Sequence, residues 1–155
     1  MQILLDTHYL LWFLSGDSRI TKEALEIIMN PDNHIYYSTV SLWEIEIKHK
    51  KHPDVVPYTS KEISDACLDI DLENLPIFNK HIYQLNNLRK YDNSPSHNDP
   101  FDLILLAQAK RSGMKLLTHN HLFKYYDEEC LLIIWHISFS ILLYSSWGWP
   151  WFRLV

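Results

Sequence analysis

Positive charge is in short supply: 14 lysines and arginines stand against 19 aspartates and glutamates, for a formal charge of -5. That balance excludes a protein that holds nucleic acid mainly through a bulk positive field, so any such function has to be argued from a site. Cysteine is scarcer still. Cys67 and Cys130 have neither metal-ligand spacing nor a disulfide framework, and no secretory signal precedes the strand-like residues 1–5, so the expected compartment is the cytoplasm. Three glycines and no internal repeat rule out a low-complexity segment or a repeat array. What remains, 47% apolar and 21% charged over 155 residues, fits one globular domain with a real core.

One region lacks charge altogether. Residues 131–152 contain no Asp, Glu, Lys or Arg, a length that could span a bilayer. Beyond residue 135 this tail carries Phe139, Trp147, Trp149, Trp151 and Phe152. An element packed on the domain or on a dimer partner, a membrane-associated tail, and sequence foreign to the ancestral domain are the three readings. Arg153 alone supplies flanking charge, which favours packing over a membrane span. The domain is therefore drawn at 1–135, with an aromatic-rich extension at 136–155.

Short apolar runs alternate with helical patterns. Residues 2–5 (QILL), 35–37, 73–78, 115–118 (KLLT) and 131–135 read as strands. Helices are expected over 9–14, 21–29 capped by Thr21, 42–48 capped by Ser41, 60–72 capped by Ser60, from Asn79 through about Arg89, and from Pro100 to a stop at Ser112-Gly113. In the 42–48 helix Trp43 and Ile45 are expected to face the core, and residues 49–59 form a basic loop. This alternation argues for a parallel sheet covered on both faces.

The most informative stretch is His97-Asn98-Asp99-Pro100-Phe101-Asp102, followed by an apolar run. Asp99 stands where an N-cap belongs, Pro100 at the first helical position and Asp102 at the third, so both carboxylates share one face beside the positive end of the helix. Alone, such a pair reads as a capping device. Other acids change the reading. Asp6 directly follows the first strand, Glu44 lies in the helix after the second, and in an open parallel sheet all of these map to the carboxyl edge where sites form. Carboxylates crowded together call for a cation, and hard oxygen donors suit Mg²⁺ or Mn²⁺.

Leu4-Leu5-Asp6-Thr7-His8, Ser38-Thr39-Val40-Ser41-Leu42-Trp43-Glu44-Ile45, His97-Asn98-Asp99-Pro100-Phe101-Asp102 with Ala107-Gln108-Ala109, and Leu116-Leu117-Thr118 together resemble the PIN-domain ribonucleases. More narrowly, they resemble VapC-type toxins of toxin-antitoxin pairs. The resemblance implies a three-layer α/β/α domain with a central parallel sheet of about four to five strands. It also implies a metal-dependent endoribonuclease using Mg²⁺ or Mn²⁺, an RNA substrate, a cognate antitoxin and a homodimer. Asp6, Glu44 and Asp102 fall on the family's acidic triad, with Asp99 as an additional acid and Thr7 and Thr118 on hydroxyl positions. Two departures stand out: Asn120 replaces an aspartate common in relatives, keeping a carbonyl ligand but losing a charge, and Leu103 replaces an arginine. Lys48, in the basic cluster with Lys50 and Lys51, is the candidate contact to an RNA backbone. The pairs His49/His52 and His119/His121 read as ordinary loop histidines. The rival function is a catalytically weak module that mainly binds a protein or RNA partner; a phosphotransfer enzyme is disfavoured because Asp6-Thr7-His8 lacks a second acid.

Overall fold

The computed structural model describes residues 1–134. Five strands, β1 (Gln2–Leu5), β2 (His34–Ser38), β3 (Glu73–Leu75), β4 (Lys115–Thr118) and β5 (Leu131–Ile133), form one sheet in the order β3-β2-β1-β4-β5. Every pairing is parallel, with Leu4 opposite Tyr36 on one side and Leu116 on the other. The central β1 is therefore flanked by strands that come from distant parts of the chain. This is the expected parallel α/β architecture.

Alternation along the strands explains why the sheet is apolar throughout. Ile3, Leu5 and Leu117 face one buried cluster with Tyr9, Leu10, Ala24, Ile28, Ile45, Ile63 and Cys67. Leu4 and Leu116 face the other, against Ile104, Leu105, Leu106, Ala107 and Ala109. Side chains two apart share a face, so an unbroken leucine run must be covered on both sides. α1 (Thr7–Ser15), α2 (Lys22–Ile28) and α4 (Ser60–Asp69) cover the first face, and α6 (Pro100–Ser112) the second. α3 (Thr39–Lys51) contributes Ile45 to one cluster and Val40 to the other. α5 (Asn79–Gln84) completes the helices and packs on α6.

Several boundaries differ from the sequence expectation. α3 starts at Thr39, with Ser38 rather than Ser41 as its cap: Ser38 Oγ accepts from Val40 N at 2.9 Å and donates to Gln108 Oε1 at 2.6 Å. It also runs on to Lys51, where Lys48, His49, Lys50 and Lys51 suit the negative end of the helix, so the basic loop is shorter than expected. Thr59, not Ser60, caps α4, in a reciprocal box with Glu62. β3 closes at Leu75, before Pro76, which has no N–H for the ladder. α5 ends at Gln84, and Leu85–Asn87 continues as one 3₁₀ turn instead of α-helix to Arg89. Trp43 is 60% exposed, edge-on to Phe101 at 5.1 Å, while Ile45 is buried as expected. β5 closes at Ile133; Trp135 and the extension 136–155 lie outside the described residues. Among the described residues, no helix is long and apolar enough to cross a membrane.

Candidate metal-binding site

β1 runs into α1 with a single residue between them, and that residue is Asp6. Its Oδ1 accepts from His8 N at 2.8 Å and Tyr9 N at 3.1 Å, capping α1, while its own N–H donates to Leu117 O at 3.0 Å and extends the β1–β4 ladder. Asp6 is thus fixed at the carboxyl end of the central strand, 2% exposed. Its other oxygen, Oδ2, accepts a short hydrogen bond from the Thr118 hydroxyl at the end of β4.

Glu44 arrives from α3. Thr7 Oγ1 donates to Glu44 Oε2 at 2.5 Å, Ser41 Oγ lies 3.1 Å from the same hydroxyl, and Lys48 Nζ pairs with Glu44 Oε1 at 2.5 Å. Glu44 and Lys48 are one helical turn apart, so the ion pair is local, and it partly compensates a buried carboxylate. The Thr39 start of α3 places Ser41 in its first turn, facing Thr7, instead of at a cap.

Asp102 arrives from α6, whose start is built as its sequence suggests. Asp99 Oδ1 accepts from Phe101 N at 2.9 Å, Pro100 opens the helix, and Gly113 closes it in the left-handed region at φ 69°. Asp102 Oδ2 takes two contacts: Asn120 Nδ2 donates to it at 2.6 Å, and His97 Nε2 lies 2.9 Å away. Asn120 N in turn donates to Thr118 Oγ1 at 3.0 Å. A continuous set of hydrogen bonds therefore links Asp102 through Asn120 and Thr118 to Asp6, and Thr7, the next residue, carries it to Glu44. Three acids from three separate elements are brought to one edge of the sheet.

Asp102 is the acid whose electrostatics stand out. Burial pushes the Asp102 carboxyl above the usual carboxylate range; the His97 contact opposes this, and the negative charges of Asp99 and Asp6 add to it. Asp99 is itself exposed. A cation among these oxygens would remove the repulsion, and the donor set, carboxylates with hydroxyls, is that of a hard divalent ion. Asn120 lies at the site, but its amide nitrogen faces Asp102 and its carbonyl oxygen accepts from Leu122 N at 2.9 Å. In this arrangement it holds Asp102 instead of offering an oxygen.

Sequence reasoning passed over His97 as a functional residue. Its side chain is 1% exposed, packed edge-on against Phe123 at 5.1 Å and Tyr126 at 5.7 Å, with Nδ1 left without a partner. The available signal was a lone histidine in a polar linker five residues before Asp102. His119, an ordinary loop histidine on sequence grounds, is half-buried beside Asp6. Burial pulls its imidazole below the ordinary histidine value, Asp6 opposing.

The sequence profile of the PIN domain matches residues 3–129. No curated protein sequence matches the chain. Among solved structures, VapBC2 from Rickettsia felis, bound to a DNA fragment from its promoter, is similar in fold at TM-score 0.60 and 20% identity, covering 86% of this chain and 98% of that one. A toxin-antitoxin complex from Klebsiella pneumoniae gives 0.57 and 18%, covering 87% and 99%. VapBC-5 from Mycobacterium tuberculosis gives 0.52 and 22%, covering 87% and 98%.

Proposed function

The chain belongs to the PIN domain family, and from that membership we propose that it is a divalent-metal-dependent endoribonuclease, the toxin of a toxin-antitoxin pair. The observation that carries this reading is that Asp6, Glu44 and Asp102 meet at the carboxyl edge of the sheet, Asp102 joined to Asp6 through Asn120 and Thr118, and Glu44 held by Thr7, the residue after Asp6. We assign those three acids as catalytic and metal-holding, with Mg²⁺ or Mn²⁺ as the ion and Asp99 as a further acid at the rim. A bound ion at such a site acidifies a water and offsets charge developing on a phosphodiester.

The chain's own residues supply the geometry. Asp6 is held by the α1 amides and Thr118, Glu44 by Thr7 and Lys48, and Asp102 by Asn120 and His97. Lys48 is 39% exposed on its side chain, so with a cation on Glu44 its ammonium would be available to pair with a phosphate. The similarity of fold to toxin-antitoxin complexes supports an antitoxin as partner; a homodimer as the assembly and the cytoplasm as the compartment belong to the same proposal. We place the PIN domain at 1–135 and the extension at 136–155.

Purified, antitoxin-free protein incubated with single-stranded RNA and Mg²⁺ or Mn²⁺ tests this, beside Asp102→Asn. Cleavage by the unmodified chain, lost with chelator and in the variant, is expected. Equal cleavage by both overturns the site; no cleavage by either under any metal leaves the binding module as the reading.

A further inference from the structure

Among the described residues, one set of three ligand-bearing side chains stands close enough to share an ion as it is, and it is not the carboxylate triad. Asp6, His8 and His119 each present a ligand atom, and the three atoms lie within 4.8 Å of one another. His119 Nδ1 is buried without a hydrogen-bond partner and lies 3.8 Å from Asp6 Oδ2, too long for a hydrogen bond. The His8 and His119 rings meet at 5.1 Å and 79°. Trp12 at 4.4 Å and Tyr9 at 5.8 Å pack against the His119 ring and hold its plane.

We propose that Asp6, His8 and His119 form a second cation site, for Zn²⁺ or a like imidazole-preferring divalent ion, sharing Asp6 with the carboxylate site. Zinc takes nitrogen and carboxylate donors at about 2.0–2.2 Å, so two donors on one tetrahedral ion sit roughly 3.3 Å apart; with His119 Nδ1 already 3.8 Å from Asp6 Oδ2, closure on an ion falls mainly to the His8 side chain. Two imidazoles and one carboxylate are a poor set for Mg²⁺, which wants oxygen. A three-residue set leaves a fourth position for water. The spacing His119/His121 in sequence is not the pair that meets; His8, from α1, is the partner.

The site has a consequence for the first one. Asp6 Oδ1 accepts from two α1 amides and Oδ2 from Thr118 alone, so Oδ2 keeps the lone pair left for a cation. An ion drawn toward His119 takes the oxygen that the carboxylate site needs, and zinc there inhibits Mg²⁺-supported cleavage. This inhibition rests on the nuclease reading; the zinc site does not.

The test uses the full chain, stripped of metal and titrated with Zn²⁺ against a chromophoric chelator. One zinc per chain is expected, with affinity falling about tenfold or more in His8→Asn and in His119→Gln, and far less in Asp102→Asn and His121→Gln. In the unmodified protein, zinc is expected to shift the ring proton signals of His8 and His119 and not those of His34 and His52, which answers the question even where a variant folds poorly. Undiminished affinity in both histidine variants, a loss in Asp102→Asn equal to theirs, shifts confined to other histidines, or no bound zinc overturns the proposal. Zinc bound at these residues by a chain that cuts no RNA counts against the nuclease reading alone; RNA cleavage without that zinc site counts against this proposal alone.

Discussion

His97 Nε2 lies 2.9 Å from Asp102 Oδ2, and the ring that makes this contact is sealed between Phe123 and Tyr126. The histidine thus acts as a packed strut: aromatic contacts fix the imidazole, and the imidazole fixes the carboxylate. Removing such a support from a metal ligand costs roughly 10–100-fold in affinity. His97→Ala is therefore expected to weaken Mn²⁺ binding by about that factor, and also to lower stability because it opens a cavity. Calorimetric titration with Mn²⁺ checks it; unchanged affinity in a folded variant would remove His97 from the site.

Glu44 depends on two partners, the Thr7 hydroxyl and the Lys48 ammonium. Stripping one from a buried carboxylate leaves desolvation uncompensated, at about 1–3 kcal/mol. Lys48→Met is expected to destabilise the metal-free chain by that order, and Mg²⁺ or Mn²⁺ to restore more stability to the variant than to the parent. Thermal melts with and without metal read both effects. An equal metal-induced rise in Tm would show that Lys48 and the ion do not share Glu44.

The raised Asp102 carboxyl sets a direction for the pH dependence of the metal-free protein. Its proton is held to higher pH in the folded chain than in the unfolded one, where aspartate titrates near 3.9. Between those two values the native state binds more protons, so stability from this group is complete below the unfolded value and is lost as pH rises through the folded one. Asp102→Asn cannot ionise. Relative to the parent, its stability is expected to rise across that window in urea titrations with chelator, from about pH 4 upward; a pH-independent difference would contradict the assigned shift.

Much of this was legible locally. The start and stop of α6 follow from Asp99, Pro100 and Gly113 because caps and left-handed turns are set by neighbouring residues. The sheet was legible because buried parallel strands leave unbroken apolar runs. The start of α3 was not: Ser38, Thr39 and Ser41 all offer capping hydroxyls, and the choice is made by Gln108, 70 residues away. Trp43 failed for a related reason. With Glu44 and Ile45 on the buried phase of α3, their neighbour is turned outward, where Phe101 of another helix receives it. His97 and the His8–His119 contact were invisible because the aromatic residues that hold these rings come from other elements or from a different turn.

Asn120 offers the sharpest separation of structural from electrostatic roles. Its amide donates to Asp102 Oδ2 at 2.6 Å and its carbonyl caps the following turn. Asn120→Asp keeps the cap, because a carboxylate accepts from Leu122 N equally well, but converts the donor facing Asp102 into a like charge. The metal-free variant is expected to lose stability, since two carboxylates at that distance cannot both ionise without cost, and one of them takes up a proton at higher pH. A cation reverses the sign: the added charge then becomes another ligand. Mn²⁺ is expected to bind the variant more tightly and raise its Tm by more than it raises the parent's. If the substitution instead lowers Mn²⁺ affinity, the amide's hold on Asp102 matters more than the charge it lacks.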